Sequence, residues 1–159
     1  GNSYVIKQGE VQVMSAGTGI SHSEYNASDT EPLNFLQIWV LPKLTGIEPR
    51  YEQTLFSADG RNNEFQTAIV PDGSPDADDG ALRINQDAWF SLADFTAGRK
   101  ETYELKANGN GAYVFLIEGQ IEISGESLAR RDGIGIVETE EFDIDVITDC
   151  QLLIIDAPP

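Results

Sequence analysis

Two side chains stand out for the chemistry they could do together. His22 is the chain's only histidine, and Glu24 follows two positions later. In an extended strand residues i and i+2 leave the same face, so the imidazole and the carboxylate would project side by side. A nitrogen and an oxygen donor on one face make half of a first-row transition-metal site. A bare His-x-Glu is a weak motif, and spacing alone favours a plainer alternative: a hydrogen-bonded core or rim histidine beside a solvated glutamate. Just upstream, Gly17 and Gly19 bracket Thr18. They read equally well as letting the His22 strand approach a metal cavity closely or as a bulge or turn.

The elements that must carry this pair read as strands. Residues 5–6 and 11–14 are apolar runs split by the turn 7–10, and 33–41 is a long β-prone run that Pro42 stops. A further strand is predicted at 65–70. The stretch 71–80, rich in Pro, Gly and Asp, tempts a calcium-loop reading, but the EF-hand spacing is not met and a solvated loop is expected. Short strands follow at 82–84, 88–92 and 102–105, with a turn at 108–111. Runs 113–117 and 120–123 flank Glu118-Gly119 in the manner of a hairpin. Asp132-Gly133 marks another turn, 142–146 alternates cleanly, and 152–155 is continuously apolar. Nothing in the second half has the period of a long amphipathic helix. Many short strands between Gly and Asp turns predict an all-β sandwich or jelly roll.

Composition narrows the function classes. At 40% hydrophobic residues, with seven Phe, five Tyr and two Trp, the chain can bury a real core and is not a disordered segment. A formal net charge of −17 argues against nucleic acid and against anionic membrane surfaces as partners. The single cysteine, Cys150, rules out an internal disulfide and fits a reducing cytoplasm. Placed just before an apolar run, it reads as a small buried residue rather than a reactive thiol. No basic segment followed by an apolar stretch opens the chain, and no apolar run reaches the roughly 18 residues of a membrane span. Asn26-Ala27-Ser28 fits a glycosylation pattern by chance.

The stretch 9–26, GEVQVMSAGTGISHSEYN, resembles the pirin-like bicupin family, most closely its quercetinase-type bacterial members. QIWVLP at 37–42, PRYEQ at 49–53 and LLIID at 152–156 are similar to that family too, so the resemblance covers nearly the whole chain. It implies cupin folds (double-stranded β-helix, or jelly roll): the second half of an N-terminal, metal-binding cupin over 1–44, an inter-domain crossing at 45–53 and a complete C-terminal cupin over 54–159. In that family one metal sits in the N-terminal cupin on three histidines and one glutamate. His22 and Glu24 match the last two ligands. The first two come from a His-x-His one hairpin upstream, for which this chain has no counterpart. Residues 1–3 read as the turn after that motif, so the expectation is an N-terminally truncated protein, inactive alone. The second cupin offers Glu118 and Glu122 where a first metal motif would fall, and no histidine, so it is expected to be metal-free.

The resemblance implies a metal-dependent dioxygenase opening flavonols, of the quercetin 2,3-dioxygenase type. One divalent transition metal is implied, iron by family precedent, with other ions possible. Glu24 would be both a metal ligand and the catalytic base, His22 a ligand, and the substrate a small flavonol-like aromatic. The alternative is a binding or regulatory module without enzymatic activity. Open strand edges would favour a dimer or a strand-swapped oligomer.

Overall fold

In the computed structural model, described over residues 2–159 except for the side chains of Asp78 and Asp79, strands joined by turns make up almost all regular structure. Gly1, part of the expected opening turn, lies outside the described residues. A short ribbon comes first, β1 (Glu10–Ser15) and β2 (Arg50–Leu55). Then follow β3 (Gln66–Pro71), β4 (Leu82–Ile84), β5 (Trp89–Phe95), β6 (Lys100–Glu104) and β7 (Gly111–Glu118). The chain ends with β8 (Gln120–Ile123), β9 (Glu126–Ala129), β10 (Gly133–Ile136), β11 (Glu141–Val146) and β12 (Cys150–Ala157).

Strands β3 to β12 form two facing sheets, a six-stranded one in the order β10-β7-β12-β5-β3-β4 and a four-stranded one in the order β6-β11-β8-β9. This is the predicted all-β jelly roll. The period-2 pattern does the sorting. On β11, Phe142, Ile144 and Val146 are buried and face Ala93, Phe95, Val114, Leu116, Leu152 and Ile154 of the larger sheet. Phe65 sets its ring edge-on to Phe95 and Tyr103, with centroids 5.1 and 5.2 Å apart. At one end of this interior Asp156 is wholly buried. Its carboxylate accepts hydrogen bonds from the Lys106 backbone N–H and from Asn110 Nδ2, both at 2.6 Å. The Tyr103 hydroxyl lies toward Ser91 and Asp156 without closing a well-aligned hydrogen bond to either.

The continuous apolar run of β12 has a simple cause: both faces of the strand are covered. Leu152 and Ile154 point into the sandwich, whereas Leu153 points outward into a second core. There it meets Ile69, Leu82, Ala88 and Phe90, and the ribbon lays Val13 and Phe56 over them. The sandwich therefore carries the ribbon on its outer face. Segment 41–44 is tied down next to it: Lys43 N–H donates to the Asn85 carbonyl (2.7 Å), Asn85 Nδ2 to the Leu44 carbonyl (2.7 Å), and Gln86 Nε2 to the Leu41 carbonyl (2.8 Å).

Two expectations need correction. Runs 113–117 and 120–123 do become β7 and β8, but not a hairpin: β7 pairs with β10 and β12, and β8 with β9 and β11, in the other sheet. Gly119, at φ +98°, is the corner where the chain changes sheets. The β-prone run 33–41 forms no ladder, nor do residues 5–6. Strand formation needs a backbone partner as well as propensity, and no described residue supplies one. Leu33, Phe35, Leu36, Ile38, Trp39 and Leu41 are left exposed, and only Val40 reaches the second core. The stretch 45–53, expected as a crossing, holds a loop and then the first residues of β2. The acidic loop 71–80 carries a short 3-10 turn, Pro75–Asp79, capped by Ser74 and closed by Gly80.

Candidate functional site

The ribbon decides what surrounds Glu24. In its antiparallel register Glu10 faces Leu55, Gln12 faces Gln53, and Met14 faces Tyr51. Alternation sends Val11 and Val13 to the second core and leaves Glu10, Gln12, Met14, Tyr51 and Gln53 together on the other face. Apart from Met14, that face is polar, and its side chains are linked by hydrogen bonds. Gln12 Nε2 donates to Glu24 Oε1 at 2.7 Å. The Tyr51 hydroxyl lies 2.7 Å from Gln53 Oε1 and 3.2 Å from Gln12 Oε1. Gln53 Nε2 donates to Glu10 Oε2 (2.8 Å) and to the Val5 carbonyl (2.9 Å), and the Glu10 carboxylate also accepts from the Lys7 backbone N–H. Tyr4 stacks on Tyr51, ring centroids 4.5 Å apart and planes within 11°. Burial, then the neighbouring Tyr4, Glu10 and Glu24, raise the Tyr51 pKa above the ordinary tyrosine value, so the phenol is a hydrogen-bond donor at neutral pH.

After β1 the chain turns. Gly19 N–H donates to the Ala16 carbonyl (2.8 Å) and Thr18 N–H to the Ile47 carbonyl (3.0 Å). Gly17, at φ +53°, lies so close to Ile47 that a Cβ would stand 2.1 Å from its carbonyl oxygen. Its absent side chain is thus accounted for by a turn packed on Ile47. Residues 20–26 then run without a ladder, so strand periodicity does not set the directions of His22 and Glu24. Both are exposed, and Glu24 is held by Gln12.

The donor types suit a first-row divalent metal, imidazole nitrogen plus carboxylate oxygen. Their number does not complete a site, since catalytic metals are commonly held by three or more protein ligands. Among the described residues no group of three or more His, Cys, Asp and Glu side chains could hold a metal ion. Glu118 and Glu122 do not converge on a site either: Glu118 is paired with Arg130 Nε at 2.8 Å, and Glu122 is exposed on β8. An open groove lined by 52–54 and 80–83 runs beside β2 and β4. Two hydrogen bonds tie β2 to β4 beside it, Arg50 donating to the Arg83 carbonyl (2.6 Å) and Glu52 accepting from the Arg83 N–H (3.3 Å). Cys150 is buried, and burial pushes its thiol pKa up, as expected of a packing residue. No helix among the described residues is long and apolar enough to cross a membrane.

Gln12, Tyr51 and Gln53 were not singled out from the sequence. The available signal was the alternation of Gln12 with Val11 and Val13, which assigns Gln12 to the face away from the core. What it met there depended on a register with β2 across about 40 residues.

A two-sheet jelly roll with a second, flanking β-unit on its outer face is a cupin arrangement. Residues 73–157 match the Quercetinase C-terminal cupin domain family and residues 1–40 the Pirin family. The chain is 37% identical over 163 residues to a quercetin 2,3-dioxygenase of Escherichia coli, an alignment spanning all of this chain and 65% of that protein. Among solved structures it matches the crystal structure of YhhW from Escherichia coli with a TM-score of 0.90 at 35% identity, over 100% of this chain and 64% of that one. The nickel(II) complex of bacterial pirin YhhW matches with a TM-score of 0.85, over 95% and 62%. The chain belongs to the pirin-like bicupin family, among its quercetinase-type bacterial members. It spans about two thirds of the length of the relatives it matches.

Proposed function

We propose that the full-length protein is a metal-dependent dioxygenase acting on flavonols, and that His22 and Glu24 are two ligands of its divalent metal. The supporting observation is the position of Glu24, within the segment that matches the Pirin family and hydrogen-bonded at one oxygen by the polar face of the ribbon. A relative named quercetin 2,3-dioxygenase and another solved with nickel(II) agree with this reading. Iron is the proposed physiological ion, and the cytoplasm the proposed location. The remaining ligands would come from a His-x-His in the part of the relatives' length outside this chain, which on its own would then be inactive.

When bound, the metal would act as a Lewis acid with positions open to a flavonol oxygen and to dioxygen. His22 would hold it through imidazole nitrogen. Glu24 would hold it through one carboxylate oxygen, and its carboxylate would also be the acceptor for the flavonol hydroxyl proton, with Oε1 steadied by the Gln12 amide. Residues 1–44 would form the metal-binding unit and 54–159 the metal-free packing unit. The exposed run 33–41 would be covered in the full-length fold, or in this chain by a second copy.

A regulatory module that binds partners without catalysis is the second reading, favoured by the exposure of both His22 and Glu24. Oxygen uptake by the iron-loaded full-length protein with a flavonol separates the two. Consumption above an iron-only control supports the dioxygenase. None at any flavonol concentration supports the module.

A further inference from the structure

We propose that Gln12 is a positioning residue for Glu24, and that Tyr51 and Gln53 set the direction in which the Gln12 amide acts. The inference rests on the reading of Glu24 as metal ligand and base. Glu24 lies on a segment with no ladder, so its backbone does not fix its carboxylate. Gln12 is better anchored. It sits mid-strand on β1 between Val11 and Val13, and Val13 is locked into the second core at 7% exposure.

The hydrogen-bond chain determines which end of each amide points where. Both hydrogens of Gln53 Nε2 are committed, to Glu10 Oε2 and to the Val5 carbonyl, so its Oε1 must face Tyr51. The Tyr51 hydroxyl, held under the Tyr4 ring, donates between Gln53 Oε1 and Gln12 Oε1. A donor at Gln12 Oε1 leaves Nε2 as the end presented to Glu24, and it reaches Oε1 at 2.7 Å. A flipped Gln12 would set its carbonyl oxygen against the Glu24 carboxylate and would lose the Tyr51 hydroxyl as a donor to Oε1. The result is a Glu24 carboxylate with one oxygen engaged and Oε2 left for a cation or a proton. Partners one step behind a ligand commonly govern its orientation in this way.

The test uses the full-length protein, wild type, Gln12→Leu and Tyr51→Phe, with Co2+ as the spectroscopic metal. Leucine keeps much of the bulk of Gln12 without its amide, and phenylalanine keeps the stacked ring without the hydroxyl. Gln12→Leu is expected to weaken Co2+ binding about 10- to 100-fold and to change the visible ligand-field spectrum. Tyr51→Phe should move both in the same direction by less, and it carries the test if Gln12→Leu does not fold. In the metal-free protein, Glu24→Gln should shift the Gln12 side-chain amide resonance, whereas Glu126→Gln on distant β9 should not. Folded variants that bind Co2+ with unchanged affinity and spectrum overturn the proposal. A wild type that binds no Co2+ overturns it together with the functional reading. If Co2+ binding weakens as predicted but the iron-loaded wild type consumes no oxygen with a flavonol, the positioning role stands and the dioxygenase reading falls.

Discussion

Gly119 offers the sharpest test of how the two-sheet jelly roll is built. It joins β7 of the six-stranded sheet to β8 of the four-stranded one at φ +98°. A Cβ there would stand 2.4 Å from the Asp149 carbonyl oxygen, 2.7 Å from Cys150 Cβ and 2.8 Å from Cys150 Cα. Two of those three atoms are backbone at the start of β12, which is paired on both sides and cannot swing away. Gly125 makes the control, because it has a similar φ of +83° but nothing within 4 Å of the position its Cβ would take. Both alanine substitutions carry the left-handed penalty of about 1–2 kcal/mol. Only Gly119→Ala adds overpacking, typically about 1–3 kcal/mol and here toward the upper end. Gly119→Ala should therefore destabilise by about 3–5 kcal/mol and Gly125→Ala by about 1–2. With a gap of about 2–3 kcal/mol and about 2–4 °C per kcal/mol for a chain of this size, the two melting temperatures should differ by roughly 4–12 °C. Urea unfolding followed by tryptophan fluorescence and circular dichroism measures the same gap. Equal losses in the two variants, within about 0.5 kcal/mol, would refute the idea that Gly119 is a crowded crossing between sheets.

Further expectations concern the barrel interior and the exposed run. Asp156→Ala leaves two donors, the part-buried Lys106 N–H and the buried Asn110 Nδ2, without their acceptor; at about 1–3 kcal/mol for each lost bond, denaturation should show a loss of roughly 2–6 kcal/mol. Burial, the main cause, raises the Tyr103 pKa far above the ordinary tyrosine value of about 10. Its neutral form therefore favours folding: that contribution is intact below pH 10 and lost as pH rises above it, so pH-dependent melts should fall off on the alkaline side, and less so in Tyr103→Phe. Cys150, buried and with its thiol pKa raised, should be inert to a thiol reagent near neutral pH until the chain is unfolded. The exposed apolar run 33–41 should make this chain scatter light as a species larger than its 17.4 kDa mass, and a clean monomer would count against that.

Strands whose faces differ in environment were legible in the sequence. Alternation at 142–146 identified β11, and the unbroken 152–155 run identified a strand, though not the second core that covers its outer face. Glu118-Gly119 announced a reversal but not the sheet that the next strand would join, because turn chemistry is local and strand pairing is not. Residues 33–41 misled for a related reason: composition reports the tendency to be extended and says nothing of a missing ladder partner. At the candidate site, His22 and Glu24 were legible by residue type and by resemblance. The ring of Gln12, Tyr51, Gln53 and Glu10 was not, since it exists only through the β1–β2 register.

Whether His22 and Glu24 bind the metal is read most directly from the metal content of the full-length protein after iron(II) loading and desalting. The wild type should retain stoichiometric metal, and His22→Ala and Glu24→Ala, if still folded, should each lose most of it. Variants that keep as much metal as the wild type would place the metal elsewhere and rule out His22 and Glu24 as its ligands.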